Sequence, residues 1–258
     1  VSTKRADAHA RVGAGFDARV DAEFDARVGA EFDARVGAEF DARVGAEFDA
    51  RVGAEFDARV GGGFNPPKPT DRGGPDYGRF VEAVRTLQDH ARAADAPDAV
   101  ITEAADLIEK VSALLAPYDA DEWSSPSGRR MDLPNRGNIL SPPLDLRLTE
   151  DGRVAGTARF RRYHLGRNGA AHGGAVAHLF DSLLGFTAFQ LSGSKAQRTA
   201  FLHIDYRKIA VIGAELQVDA GIDEIVDRKI FVSGRLCDGE DVLAEAHSLF
   251  VKLKPGQP

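Results

Sequence analysis

The sequence predicts an α+β fold in which an antiparallel sheet wraps around one long helix. Three observations carry that expectation. Residues 174–191 place Ala175, Val176, Leu179, Phe180, Leu183, Leu184, Phe186 and Phe189 around nearly the full circumference of a helix, and a helix that is apolar all round is buried. Ahead of it, LDLRL and VAGTARF alternate about Glu150-Asp151-Gly152, the pattern of a hairpin. Behind it, three or four more strands follow in TAFLHIDY, ELQVDAGIDEIV, KIFVSGRL and VLAEAHSLFVKL, with Asp238-Gly239 turning between the last two. A strand pair, a buried helix and an antiparallel run of strands make a sheet closed over a helix.

The chain begins differently. Residues 13–60 repeat GAEFDARV with a period of eight, and FDARV occurs six times. That unit is far shorter than the roughly 20 residues or more that solenoid repeats need. Its pattern is ambiguous. Phe32, Ala34 and Val36 alternate with Asp33 and Arg35 as in a strand, whereas Glu31 and Arg35 are four apart as in a helix. As a helix, eight residues overshoot two turns by roughly 80°, so the apolar stripe spirals and no single face can be buried. The reading is a disordered or weakly helical extension, with an adhesive or assembly role as the functional alternative. GGGFNPPKPTDRGGP, residues 61–75, then reads as a linker, so residues 1–75 form one extension.

Residues 76–117 read as a helical hairpin. Phe80, Val81, Val84, Leu87 and Ala91 keep helical spacing. A second helix starts at Asp98 after Pro97, runs through Leu107, Ile108, Val111, Leu114 and Leu115, and stops near Pro117. Tyr118 and Trp123 are expected to cap that hairpin on the domain of residues 118–258.

Composition bounds the function. With 258 residues, a net charge of −7 and 43% hydrophobic residues, the chain holds one full core plus accessory segments. No basic patch points to nucleic acid, and no apolar run is long enough to span a membrane. Cys237 is the sole cysteine, which excludes disulfides and cysteine-built zinc sites within one chain. VSTKRADAHA has no apolar core of the signal-peptide type, so the expected setting is reducing and cytoplasmic.

One carboxylate, Asp181, interrupts the apolar helix. An unpaired buried charge is costly, so Asp181 must be paired, protonated or lining a cavity. Pattern alone leaves a structural and a functional role evenly open. The residues just ahead of the helix bear on the choice. Gly173 and Gly174 let a ligand approach the backbone, and the free N–H groups of a helix start suit a developing oxyanion. About two turns, roughly 10 Å, separate Gly174 from Asp181, too far to act easily on one bond. Two copies of the helix side by side would bring the acid of one chain to the glycines of another, which predicts a dimer.

NGAAHGGAVAHLFDSLLG resembles the hotdog-fold acyl-coenzyme A thioesterases of the PaaI type, whose signature is N-x-x-x-H-G-G followed by a helical Asp. Asn168 lies four residues before His172 and Asp181 nine after it. RTAFLHIDYRK resembles the family's next strand, T-x-x-L-x-I-x-Y-x-R-P. The resemblance covers about residues 135–255. It implies a hotdog fold and hydrolysis of a fatty or aryl acyl-CoA thioester, with no metal or redox cofactor. Asp181 would be the general base or the nucleophile. The Gly173 or Gly174 N–H would polarise the thioester carbonyl. Asn168 would place water or the thioester oxygen, His172 would brace the loop, and Thr199 would assist the acid. Lys208 and Ile209 depart from the motif's Arg and Pro; Arg207 and Lys208 are candidates for the coenzyme A phosphates. The family pattern implies a homodimer or homotetramer. A hotdog domain that binds acyl-CoA without cleaving it is the alternative, and an enoyl-CoA hydratase a more distant one.

Other candidates are weaker. His164, His172, His178 and His203 match no metalloenzyme spacing. Ser182 and Ser192 lack a G-x-S-x-G context, and Cys237 reads as packing. Arg129, Arg130 and Arg136 read as a solvated loop, with coenzyme A phosphates as the functional alternative.

Overall fold

The computed structural model describes residues 68–120 and 124–254. The octapeptide repeat and Trp123 lie outside them. Six strands form one antiparallel sheet: β1 (Leu144–Leu148), β2 (Val154–Arg159), β3 (Gln197–Tyr206), β4 (Glu215–Val226), β5 (Lys229–Asp238) and β6 (Asp241–Lys252). Their order is β1-β2-β4-β5-β6-β3, so β1 and β3 are the edges. Helix α1 spans Tyr77–Ala93, α2 spans Asp98–Leu115 and α3 spans Gly173–Leu191. This is the hotdog arrangement, a sheet curled over one long helix.

The seat for α3 is built from small residues. Ala220 on β4, Gly234 on β5 and Ala246 on β6 lie in register across neighbouring strands, and all are buried. A Cβ on Gly234 would lie 2.9 Å from the Leu184 side chain and 2.9 Å from the Asp219 carbonyl oxygen, so the helix approaches as closely as backbone allows. Into that bed α3 presses Val176, Leu179, Phe180, Leu183 and Leu184, which with Leu216, Ile230, Val232 and Leu236 form the core. The seven-residue spread Val176–Leu183 follows the i, i+3, i+4, i+7 spacing of one helix face.

The opposite face differs from the all-round burial expected from composition. Asp181 is exposed in the single chain. The sequence pattern overstated burial because the second face is made of small and half-buried residues, Ala177, Ser182, Gly185 and Phe186 among them. The electrostatic cost attached to a buried acid therefore does not arise within one chain.

The segments before the sheet also differ from expectation. α1 docks through Arg161, whose guanidinium pairs with Glu82 and with Asp89 (2.7 Å) and donates to Thr86 Oγ1 (3.1 Å). The Tyr163 N–H adds a bond to Asp89 (3.0 Å). α2 does not fold back along α1, and none of its residues is buried. The expected hairpin packing is thus replaced by a projecting helix, and Tyr118, 80% exposed, caps nothing. Nor is every arginine of the loop before the sheet solvated. Arg130 is buried, bidentate to Asp132 (2.8 and 2.7 Å) and bonded to the carbonyls of Arg72 and Gly74. Asp132 and the linker carbonyls take up its donors, which is why it does not reach outward. Among the described residues, no helix is long and apolar enough to cross a membrane.

Candidate active site

The start of α3 is held by a tight loop. Asn168 (φ 51°) and Gly169 (φ 77°) occupy the left-handed region in succession, and the Ala170 N–H donates to the Arg167 carbonyl (2.9 Å). Two successive positive φ values at Asn-Gly make a type I′ turn. The loop is then pinned at its base: His172 N–H to the His164 carbonyl (2.8 Å), Ala171 N–H to the Ala210 carbonyl (2.8 Å) and Ile212 N–H to the Gly169 carbonyl (3.0 Å). Asn168 thereby has a conformational reason for its identity. Its exposed side chain makes no hydrogen bond to the other site residues.

His172 is the N-cap of α3, and its Nδ1 accepts the Gly174 N–H (3.0 Å). A helix start leaves its first N–H groups without intrahelical partners. Ala175 and Val176 both donate to the His172 carbonyl. The Gly173 N–H meets no acceptor among the described residues, and Gly173 is exposed. Of the two glycine amides proposed as oxyanion donors, one is committed to the cap and one is open. Gly173 is also not demanded by packing, because a Cβ there would make ordinary contacts of 3.5–3.8 Å with Tyr206. Tyr206, at the end of β3, donates its hydroxyl to the Gly173 carbonyl (2.9 Å), and partial burial raises its phenol pKa.

Asp181 lies two turns along the exposed face of α3. Thr199 Oγ1 donates to its Oδ1 at 3.0 Å. The pairing of β3 with β6 slips between Thr199 and Phe201, so a bulge sits where Thr199 turns towards the helix. Bulges re-aim side chains in this way. One turn before the acid, His178 Nε2 and Ser141 Oγ are 2.8 Å apart, and Ser141 Oγ is 3.5 Å from Ser182 Oγ. Ser141 is buried. This contact ties the pre-sheet segment to the helix beside Asp181. The sequence singled out His178 only as a histidine of no metalloenzyme spacing and Tyr206 only as a motif position in the strand, and nothing in it marked Ser141.

Arg207 and Lys208 follow β3 directly and are exposed. Each already has carboxylate partners: Arg207 with Asp205 (3.5 Å) and Glu245 (3.3 Å), Lys208 with Asp241 (2.6 Å). Exposed pairs of this kind are worth at most about 1 kcal/mol, so a phosphate could displace them. Cys237 sits at the end of β5, where burial raises its thiol pKa; a raised thiol is a poorer nucleophile at neutral pH.

Comparison with known proteins follows from this geometry. The thioesterase superfamily model matches residues 168–245, a span that opens on Asn168 and includes the loop, α3 and the strands behind it. The chain is 32% identical over 117 residues to PA0474 of Pseudomonas aeruginosa, an esterase by name, covering 43% of this chain and 87% of that one. It is 35% identical over 95 residues to the acyl-coenzyme A thioesterase THEM4 of Xenopus laevis, covering 36% of this chain and 42% of that one. The chain therefore spans about two fifths of the length of that relative. The crystal structure of RHA08564, a thioesterase superfamily protein, superposes with a TM-score of 0.60 at 24% identity, over 74% of this chain and 97% of that chain, and shows the shared fold. By the family-model match over residues 168–245, and by its 32% identity to PA0474 over 87% of that protein's length, the chain belongs to the thioesterase superfamily.

Proposed function

We propose that the protein hydrolyses an acyl-CoA thioester to a free acid and coenzyme A, with two-chain active sites built from Asp181 of one protomer and the Gly173 amide of its partner. The observation that carries this reading is the pairing of an exposed carboxylate, oriented by Thr199 at 3.0 Å, with an open helix-start N–H at Gly173 on the same helix. A hydrogen bond from Thr199 holds one carboxylate oxygen and leaves the other free. That oxygen can take a proton from water, or attack the thioester carbonyl itself. The carbonyl oxygen gains negative charge as the tetrahedral intermediate forms, and an N–H at a helix N-terminus stabilises it. Collapse of that intermediate expels the coenzyme A thiolate, and on the nucleophilic route water then cleaves the Asp181 acyl anhydride to the free acid and the carboxylate.

The two groups are eight residues apart on α3, roughly 12 Å along its axis, so they serve one carbonyl only if a second chain intervenes. β3 is a sheet edge that carries Thr199. An unpaired edge is a ready template for another strand, and pairing there would bring a second helix alongside the first. Arg207 and Lys208 follow the same strand and are the candidate cations for the coenzyme A phosphates. A homodimer is the minimal assembly this requires.

Thiol release from a panel of fatty and aryl acyl-CoA substrates tests the reading. Asp181→Ala should lower kcat by about 10²-fold or more. Equal release by variant and wild type removes Asp181 from the chemistry. Tight acyl-CoA binding without thiol release by the wild type would make the protein a binder.

A further inference from the structure

Helix α2 (Asp98–Leu115) has 18 residues and buries none of them. Leu107 is 54% exposed and Leu114 69% exposed. An isolated helix of this length is marginal in water, and helices in proteins draw most of their stability from packing an apolar face. Here that face exists and has no cover among the described residues. Its residues repeat every seven positions: Val100, Leu107 and Leu114 form one series, Ile101, Ile108 and Leu115 a second. A seven-residue repeat keeps its seam turned towards another helix, winding about it with a left-handed twist.

The spacing is also palindromic. Val100 mirrors Leu115, Ile101 mirrors Leu114, Ala104 mirrors Val111 and Leu107 mirrors Ile108, about a point between Leu107 and Ile108. A two-fold axis through that point lays an antiparallel copy of the helix on the first, with an apolar residue at every level opposite an apolar residue. This is the self-complementarity that an isologous contact needs. Antiparallel pairing also sets the two helix dipoles head to tail. Small residues at Ala105 and Ser112 flank the seam on one side and Glu103 and Lys110 on the other, while Asp106 and Glu109 stay on the outer side. About half of each large apolar side chain is exposed, so pairing would remove roughly 1,200 Å² in total, the lower end of what specific interfaces bury.

We propose that α2 is an association helix that pairs antiparallel with α2 of a second copy of this chain. The pairing is separate from the Asp181 site and does not depend on the reaction assigned to it. The test uses the full-length chain in sedimentation or light-scattering measurements. Leu107→Glu combined with Leu114→Glu should weaken association by about 100-fold or more, or yield a species of half the mass. Neither side chain belongs to the core around α3, so the thermal unfolding of the sheet domain should be unchanged. Glu109→Gln on the outer face should leave association as it is. An unchanged mass and dissociation constant in the double variant would overturn the proposal.

A second readout stands even if the glutamate variant folds poorly. With Cys237→Ser as background, Ile108→Cys next to the axis should give a covalent homodimer on mild oxidation. Its absence would mean that another segment or another protein covers the helix, and would overturn the proposal. Chains with Val100→Cys and chains with Leu115→Cys should cross-link only when mixed. If each links to itself instead, the antiparallel assignment is wrong.

Discussion

Replacing Gly173 by proline removes one N–H and little else. Gly173 is the first residue of α3, where proline is tolerated because its missing N–H has no intrahelical partner and its fixed φ suits the helix. The residue before a proline must be extended, and His172 already is, at φ −64° and ψ 135°. A Cβ at the position meets Tyr206 at no less than 3.5 Å. Gly173→Pro should therefore leave the melting temperature unchanged or slightly raised, while kcat falls by about 10²-fold if that amide serves the oxyanion. Calorimetry beside a thiol-release assay checks both halves, and a variant of wild-type activity would move the oxyanion donor elsewhere. Asp181 was legible in the sequence because an acid breaks an otherwise apolar run. Asn168 was legible only as a motif position; that it forms a type I′ turn with Gly169 needed the backbone. Ser141 carried no local signal and Tyr206 only a place in the strand motif, since what gives them a part in the site is a contact across 37 and 33 residues.

At the level of elements, the short 3₁₀ turn Arg162–His164 joins α1 to the loop ahead of α3 and is sensitive to acid. His164 is 7% exposed, accepts the Arg161 N–H on Nδ1 (2.9 Å), and supplies the carbonyl that holds His172. Burial lowers its pKa from 6.5 to about 4, partly offset by Asp89. Between those two values the unfolded chain binds a proton that the folded chain does not, so stability falls as pH falls through this window. The full difference is on the order of 3 kcal/mol, a large part of the net stability of a small domain. Urea midpoints should decline between pH 6.5 and pH 4, and His164→Phe should flatten that decline; an equal slope in both would locate the acid sensitivity in another group. Strands and helices were largely legible because alternation and 3.6-residue spacing follow directly from burial. What covers α2 was not, since periodicity reveals an apolar face and is silent about its partner. The same limit explains the overstated burial of α3, whose second face is apolar in sequence but uncovered in one chain.

At the scale of the whole molecule, a site divided between protomers can be separated genetically from a site within one chain. If Asp181 of one chain works with the Gly173 amide of the other, Asp181→Ala and Gly173→Pro are each inactive alone for different reasons. In a mixed dimer of the two variants, one site receives both defects and the other receives neither. Random 1:1 mixing makes about half of the dimers mixed, and each of those carries one intact site of two, so about a quarter of wild-type activity should return. A site contained in a single chain predicts no recovery, because every chain then bears one lesion. The experiment requires co-expression or unfolding and refolding together, so that chains exchange. Its outcome is insensitive to whether α2 links dimers into larger assemblies, because each active site would still draw on only two chains. Recovery near a quarter would establish why the sequence keeps an open glycine amide and an oriented carboxylate on one helix, at a separation that a single chain cannot use.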